Sequence, residues 1–264
     1  MRRVPPAAVD CVVIPAAGLG TRLLPATRAV PKELLPLGTT PVLDLVLEEL
    51  AAAGLREAIV VSSPAKPALD AYAEQPAALP VTIVHQPQPR GLGDAVLCAK
   101  DAVGPRPFAV ALPDAIIDPS ATTALLQAVA HGAAGAVAVE RVPPEAAARY
   151  GMVRRNGDGL AREIVEKPGG AWTSEPLAVA ARYVLPPEIF AALAGTAPGA
   201  GNEVQLTDAI AALIAAGARI AVRELHTPRR DVGSPAGYAA AFAEHALGDP
   251  ALADAVRRVV DGER

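Results

Sequence analysis

From residue 12 the chain reads Val12-Val13-Ile14-Pro15-Ala16-Ala17-Gly18-Leu19-Gly20-Thr21-Arg22-Leu23-Leu24-Pro25, and Pro31-Lys32-Glu33 follows shortly after. The apolar, β-branched run from Cys11 to Ile14 predicts a buried strand. A small-residue loop with two glycines comes directly behind it. Gly18 and Gly20 allow a tight bend and a close approach of backbone to ligand, because no Cβ intervenes. Successive N–H groups in such a loop form a concavity for anions, and Arg22 and Lys32 add positive charge beside it. Together they describe a polyphosphate site. It is not the dinucleotide fingerprint, since Leu23 stands at the third glycine position, and no Gly-Lys-Ser/Thr of a Walker A loop follows. The lysines are only Lys32, Lys66, Lys100 and Lys167, against a total of 24 Lys and Arg. A lysine kept in so arginine-rich a chain suggests placement for its compact charge.

At 264 residues, one large domain, or one with a small appendage, is expected. Hydrophobic residues are 52% and aromatics 3%, so the core must be Ala, Val, Leu and Ile. A net charge of −4 and no basic run longer than a pair such as Arg229-Arg230 argue against nucleic-acid binding. Cys11 and Cys98 sit in apolar surroundings and read as buried free thiols. Arg2 and Arg3 are followed by Pro5 and Pro6, without a signal peptide's apolar core. No stretch approaches the roughly 20 apolar residues of a membrane span, so a cytoplasmic protein with no membrane partner is expected.

Downstream, Pro41 to Ala53 predicts a helix, with Leu43, Val46, Leu47 and Leu50 on one face and Gly54 as its stop. Strands are predicted at Glu57–Ser62, Val81–His85 and Phe108–Leu112, and helices at about Lys66–Glu74 and Gly93–Val103. Such alternation implies a mostly parallel sheet with helices on both faces. Past Ala133 the predicted strands are Ala136–Glu140, Tyr150–Val153, Leu160–Val165, Val179–Leu185 and Arg219–Glu224. Arg155-Asn156-Gly157-Asp158-Gly159 forms a hairpin turn among them. Helices are predicted at Gln205–Ala216, Pro235–His245 and Asp249–Val260.

Ligands of such folds lie at the carboxyl ends of strands. Gln86 directly follows the third strand, and its amide suits a base edge, with a plain surface turn as the alternative. Asp114 ends the fourth strand, where a carboxylate can hold Mg²⁺. A helix cap is its alternative, but Asp118 and Ser120 are better placed for that. Asp231, before Val232-Gly233, is the natural second carboxylate. Glu166-Lys167-Pro168 is a solvated face or a closure over ligand. Glu203 either favours the following helix by its charge or accepts from sugar hydroxyls.

The chain resembles the bacterial UTP–glucose-1-phosphate uridylyltransferases, within the sugar-1-phosphate nucleotidylyltransferases. The resemblance rests on the glycine loop, Pro31-Lys32-Glu33, Gly91-Leu92-Gly93-Asp94-Ala95, Leu112-Pro113-Asp114, Val165-Glu166-Lys167-Pro168, Arg182-Tyr183, Gly201-Asn202-Glu203 and Arg230-Asp231-Val232-Gly233, in the family's order. It implies a Rossmann-like three-layer α/β/α sandwich around a mixed, mostly parallel sheet. A single domain 1–264 would carry a nucleotide-binding part over about 8–132, a sugar-binding part over about 133–234 and C-terminal helices over about 235–264. Ala16, Ala17, Gly18, Gly20 and Thr21 would cradle the nucleotide, with Gln86 and Gly91 at the base and Arg22 and Lys32 on the triphosphate. Asp114 and Asp231 would hold Mg²⁺. Lys167 would contact the sugar phosphate, Glu166 and Glu203 the sugar hydroxyls, and Tyr150, Gly151, Ala181, Arg182 and Tyr183 would line that end. The implied catalytic set is Arg22, Lys32, Asp114 and Lys167. The implied partners are a nucleoside triphosphate and a sugar 1-phosphate, and a homo-oligomer is expected.

The implied reaction makes UDP-glucose and pyrophosphate by in-line attack at the α-phosphorus, through positioning and charge stabilisation. The chain departs from the family pattern at four places. The region between Lys66 and Val81 is short, Ala181 stands where glycine is common, Asp94 where histidine is common, and Pro235 where lysine is common. A methyl at Ala181 leaves open another sugar, a cyclitol phosphate or another nucleotide. A non-catalytic regulatory protein on this fold is opposed by the joint presence of Asp114, Asp231, Lys32, Lys167 and Arg22. A nicotinamide oxidoreductase is opposed by the missing third glycine.

Overall fold

The computed structural model describes residues 9–262. Arg2, Arg3, Pro5 and Pro6, and the outermost residues of the expected 1–264 span, lie outside the described residues.

The first half alternates strands and helices. β1 (Cys11–Pro15) runs into the glycine loop and three short 3-10 turns. β2 (Pro36–Leu37) and β3 (Thr40–Pro41) form a hairpin before α1 (Val42–Ala52). Then come β4 (Glu57–Ser62), α2 (Pro67–Ala73), β5 (Val81–His85), α3 (Leu92–Cys98), α4 (Lys100–Val103), β6 (Phe108–Ala111), β7 (Ala115–Ile116) and α5 (Pro119–Ala130). The expected helix Gly93–Val103 is two helices, because Ala99 N bonds Val96 O in a tight i−3 turn that ends the first. Pro41 precedes α1 with extended dihedrals and is not part of its first turn. Asp118 caps α5, its side chain accepting from Ser120 N.

The second half holds β8 (Gly135–Arg141), β9 (Gly151–Arg155), β10 (Ala161–Glu166), β11 (Leu177–Leu185), α6 (Ile189–Gly195), α7 (Leu206–Ala215), β12 (Ile220–Glu224), β13 (Arg230–Asp231), α8 (Pro235–Gly248) and α9 (Pro250–Val260). Asp249 caps α9 through Ala251 N.

One mixed nine-stranded sheet runs β10-β9-β11-β6-β1-β4-β5, with β8 on β11 and β12 on β8. β6, β1, β4 and β5 are parallel, and so are β8 and β12. β11 runs antiparallel to β6, β8 and β9. Alternation along β1 separates two cores. Cys11 and Val13 face the cluster that takes in α3, α6 and α7, whereas Val12 and Ile14 face the one beneath α1 and α5. The sheet is thus the middle of three layers. Stacked Phe108 and Phe190 rings, 5.0 Å apart, and Tyr183 are the aromatic members of a mainly aliphatic core cluster. Cys11 and Cys98 are free, and burial pushes the Cys11 thiol up to about 11. Among the described residues no helix is long and apolar enough to cross a membrane.

β11 is buried along its whole length. Its register against β8 shifts between Val179 and Tyr183. Within that bulge Ala181 takes φ +60°, a left-handed conformation that favours glycine. Val179, Ala181 and Tyr183 face one side of the strand and Ala180, Arg182 and Val184 the other, towards α1, and this corrects one expectation. Arg182 does not line a sugar site: it is 1% exposed and its guanidinium turns inward. There Nε donates to Glu49 Oε1 at 3.0 Å and Nη2 to Glu49 Oε2, closing a two-pronged pair with α1. The remaining donors reach the carbonyls of Leu112, Ala181 and Ala115.

Ala181→Gly removes the left-handed penalty and raises the unfolding free energy by about 1 kcal/mol in urea titration. Arg182→Met leaves Glu49 charged and buried without its partner, and lowers it by about 3–5 kcal/mol in the same measurement.

Candidate active site

The carboxyl ends of β1, β5 and β6 open onto a cavity of about 410 Å³, bordered by Ala17, Gly18, Arg22, Lys32, Gln86, Gly91 and Asp114. A second cavity of about 330 Å³ lies beyond it, against β9, β10, β11 and the start of α7. The two share Arg22, Leu92, Leu112, Asp114 and Glu203. Asp114 therefore stands at their junction.

The glycine loop is fastened from below. Ala16 N donates to Val61 O at 2.8 Å, and buried Lys66 donates through Nζ to Ala16 O at 2.6 Å and to Glu33 Oε2 at 2.9 Å. Burial lowers the Lys66 ammonium from its ordinary range, against the pull of Glu33. A Cβ at Gly18 would meet nothing within 4 Å, so this residue offers bare backbone to the larger cavity. Gly20 instead takes φ +65° and supports the turn, its carbonyl accepting from Thr27 Oγ1 at 2.8 Å. Ala16, Gly20 and Thr21 belong to the loop without bordering the cavity.

Lys32 Nζ lies 2.7 Å from Asp114 Oδ2, and an Arg22 guanidinium nitrogen 3.8 Å from it. Burial by itself would raise the Asp114 carboxyl, but Lys32 foremost, with Arg22 and Arg229, outweighs it and holds the group below the usual carboxylate range. Asp231 arrives by strand pairing: β13 lies antiparallel to β7 with Asp231 opposite Ala115, and Val232 N donates to Asp114 O at 2.9 Å. Gly233 closes the joint, since a Cβ there would stand 2.9 Å from Asp114 Oδ2 and 3.0 Å from Arg22. Asp231 accepts from Gly233 N at 2.8 Å and from Ser234 Oγ at 3.2 Å, which orients its carboxylate. Asp114, in the turn before β7, and Asp231, on β13, border the second cavity and offer carboxylate oxygens, the donors a hard cation takes. Asp10, Cys11 and Glu57 also cluster, at the opposite end of β1, but Arg106 pairs with both carboxylates and the thiol is protonated.

In the second cavity, Glu166 accepts from Thr207 Oγ1 at 2.8 Å and lies 3.3 Å from Lys167 Nζ. Lys167 itself takes φ +45°. Glu203 accepts from Gln205 Nε2 at 3.1 Å. Tyr150 carries the guanidinium groups of Arg149 and Arg229 over its ring, at 5.6 and 4.8 Å from the centroid. Gly151, Ala181 and Tyr183 also border the space. Arg149, Gln205, Thr207 and Arg229 were not singled out in the sequence. Arg229 was visible only as half of a basic pair, and Gln205 only as the start of a predicted helix.

Gly91 and Gly93 have a structural reason of their own. A Cβ on Gly91 would come within 2.7 Å of Glu203 Cβ, and one on Gly93 within 2.7 Å of Val204 O. The bare backbones let Gly93 N donate to Val204 O and Val204 N to Arg90 O, each at 2.8 Å. That seam brings Glu203 to the larger cavity.

Fold and cleft together are those of a nucleotide-dependent transferase. The family profile for nucleotidyl transferases matches residues 11–246, and the chain belongs to that family. UTP–glucose-1-phosphate uridylyltransferase 1 of Streptococcus pyogenes serotype M1 is 35% identical over 94% of this chain and 92% of its own. A crystal structure of UDP-glucose pyrophosphorylase complexed with UDP-glucose superposes with TM-score 0.84 at 31% identity, over 91% of this chain and 100% of the other. A UTP-bound UGPase from Acinetobacter baumannii gives 0.85 at 30% identity, over 96% and 98%.

Lys32→Met removes the main cation beside Asp114. A carboxyl held low in the folded state contributes stability above its unfolded pKa and loses it as pH falls through its folded one. The variant is therefore less stable than wild type at pH 7, and urea titrations show the gap closing as pH falls below about 4.

Proposed function

We propose that the chain transfers a uridylyl group from UTP to glucose 1-phosphate, giving UDP-glucose and pyrophosphate. The observation that carries this is the junction of two cavities at Asp114, with Lys32 and Arg22 on its carboxylate, in a chain so similar to uridylyltransferases. The larger cavity takes the nucleotide, its phosphates over Gly18 and its base towards Gln86. The second takes the sugar phosphate, with Lys167 on the phosphate and Glu166 and Glu203 towards the hydroxyls. These assignments divide the chain into a nucleotide part to about residue 132 and a sugar part to about 234.

A phosphate oxygen of the sugar attacks the α-phosphorus in line. The bond from that phosphorus to the bridging oxygen breaks, and its electron pair leaves on pyrophosphate. The sugar phosphate is already ionised near neutral pH, so no side chain need remove a proton. Asp114 and Asp231 would hold Mg²⁺, which supplies charge neutralisation along the phosphates. Arg22 and Lys32 stabilise the departing charge, and the walls hold both reactants in line. Ala181 borders the sugar cavity, which favours testing other sugar or cyclitol phosphates beside glucose. Exposed Phe242, Leu247, Val259 and Val260 on α8 and α9 support the expected homo-oligomer.

The test is pyrophosphate release from a panel of nucleoside triphosphates and sugar 1-phosphates with Mg²⁺. UTP with glucose 1-phosphate is expected to be the best pair, and chelation should stop turnover until metal is restored. Asp114→Ala should lower kcat by about 10²-fold or more with an unchanged circular dichroism spectrum. Normal turnover by that variant would remove Asp114 from the reaction.

A further inference from the structure

The turn after β5 contains a buried carboxylate that the transfer step does not use. Asp94, in the first turn of α3, is 3% exposed. Its Oδ1 accepts from Arg90 Nη2 at 2.7 Å and its Oδ2 from Gln86 Nε2 at 2.7 Å. The same Gln86 nitrogen donates to Gly91 O at 3.2 Å. A carbonyl and a carboxylate paired with arginine can only accept. Turning the amide over would break both bonds and set its oxygen against two other oxygens, a cost well above thermal energy. Gln86 therefore has one orientation. Its Oε1 receives no hydrogen bond among the described residues, and Gln86 borders the larger cavity.

We propose that Asp94 is a positioning residue for base selection: by anchoring the NH₂ of Gln86 it presents Oε1 as an obligatory acceptor opposite N3 of the base. Uracil and thymine carry a hydrogen at N3 and donate to it. Cytosine has a lone pair there, so the two acceptors would face each other unpaired. The assignment rests on the proposed nucleotide site and deepens it, since it says which pyrimidines that site takes and why.

Asp94→Asn tests it with little change of shape. Arg90 keeps hold of the Asn oxygen and so turns the new NH₂ towards Gln86. The Gln86 amide then reverses, giving up its longer bond to Gly91 O for the new one to the Asn NH₂, and offers its own NH₂ to the base, which suits cytosine N3. The readout is the ratio of kcat/KM for UTP to that for CTP at fixed glucose 1-phosphate. A fall of about tenfold or more is expected in D94N, with the KM for glucose 1-phosphate unchanged. Asp94→Ala, which leaves the amide held only by the longer bond to Gly91 O and supplies no donor, should fall between wild type and D94N. A ratio equal to wild type in either folded variant overturns the assignment, as does an equal loss with both nucleotides.

If neither variant folds, N3-methyl-UTP on the wild type decides. Turnover matching that of UTP overturns the proposal, and a loss of about tenfold or more supports it. A wild type that releases pyrophosphate with no pair of substrates overturns the transfer reading alone. Base selection is then read from the thermal shift given by UTP against CTP in wild type and variants. Equal shifts by both nucleotides in the wild type, or none by either, overturn the inference.

Discussion

The buried pair of Arg182 and Glu49 is the constraint on which the cleft depends. It joins the central antiparallel strand to the first long helix, and it also underpins the turn that carries Asp114, because the same guanidinium binds the carbonyls of Leu112 and Ala115. An arginine makes this possible where a lysine would not, since its planar fork satisfies a carboxylate and several carbonyls at once. Thr122 Oγ1 donates to Glu49 Oε1 at 3.0 Å and ties α5 to the same point. Burying two charges is costly, and here nearly every donor of the guanidinium has a partner. Ala180 and Val184 pack in the core beneath α1, and Arg182, between them on the strand, meets Glu49 from that same face.

Around that anchor, the site is assembled by close approaches of bare backbone. The seam between the turn at Gly91 and Gly93 and the segment Glu203–Val204 joins residues over a hundred apart in sequence. Lys66 does similar service beneath the glycine loop, with a side chain in place of a missing one. The outcome is two adjoining spaces of different chemical character. One is bordered by small residues, an amide and cations, the other by carboxylates, hydroxyls and a tyrosine flanked by arginines.

Much of this was legible beforehand. The strands Glu57–Ser62 and Val81–His85 were bounded correctly, because β-branched runs between turn residues leave few alternatives. Asp114 was legible as a carboxylate at a strand's carboxyl end, and Asp231, read as its natural companion, borders the same cavity. Arg182 was misread because the resemblance carried it to the sugar end together with Tyr183, whereas neighbours on a strand face opposite sides, and Arg182 lies on the side of α1. Arg229, Gln205 and Thr207 escaped because their placement depends on packing between elements, not on local spacing. Asp94 was noticed only as a departure from pattern; its bond to Gln86 is what makes it legible chemically.

Gly233 carries a last consequence. With a carboxylate oxygen 2.9 Å and a guanidinium nitrogen 3.0 Å from where its side chain would begin, any addition at this position presses on the two charged groups that face the cleft. Even a single methyl would act as a wedge, prising apart the wall that both chambers share. Descendants of this chain that keep their chemistry would have to shift Asp114 or Arg22 to carry any other residue there.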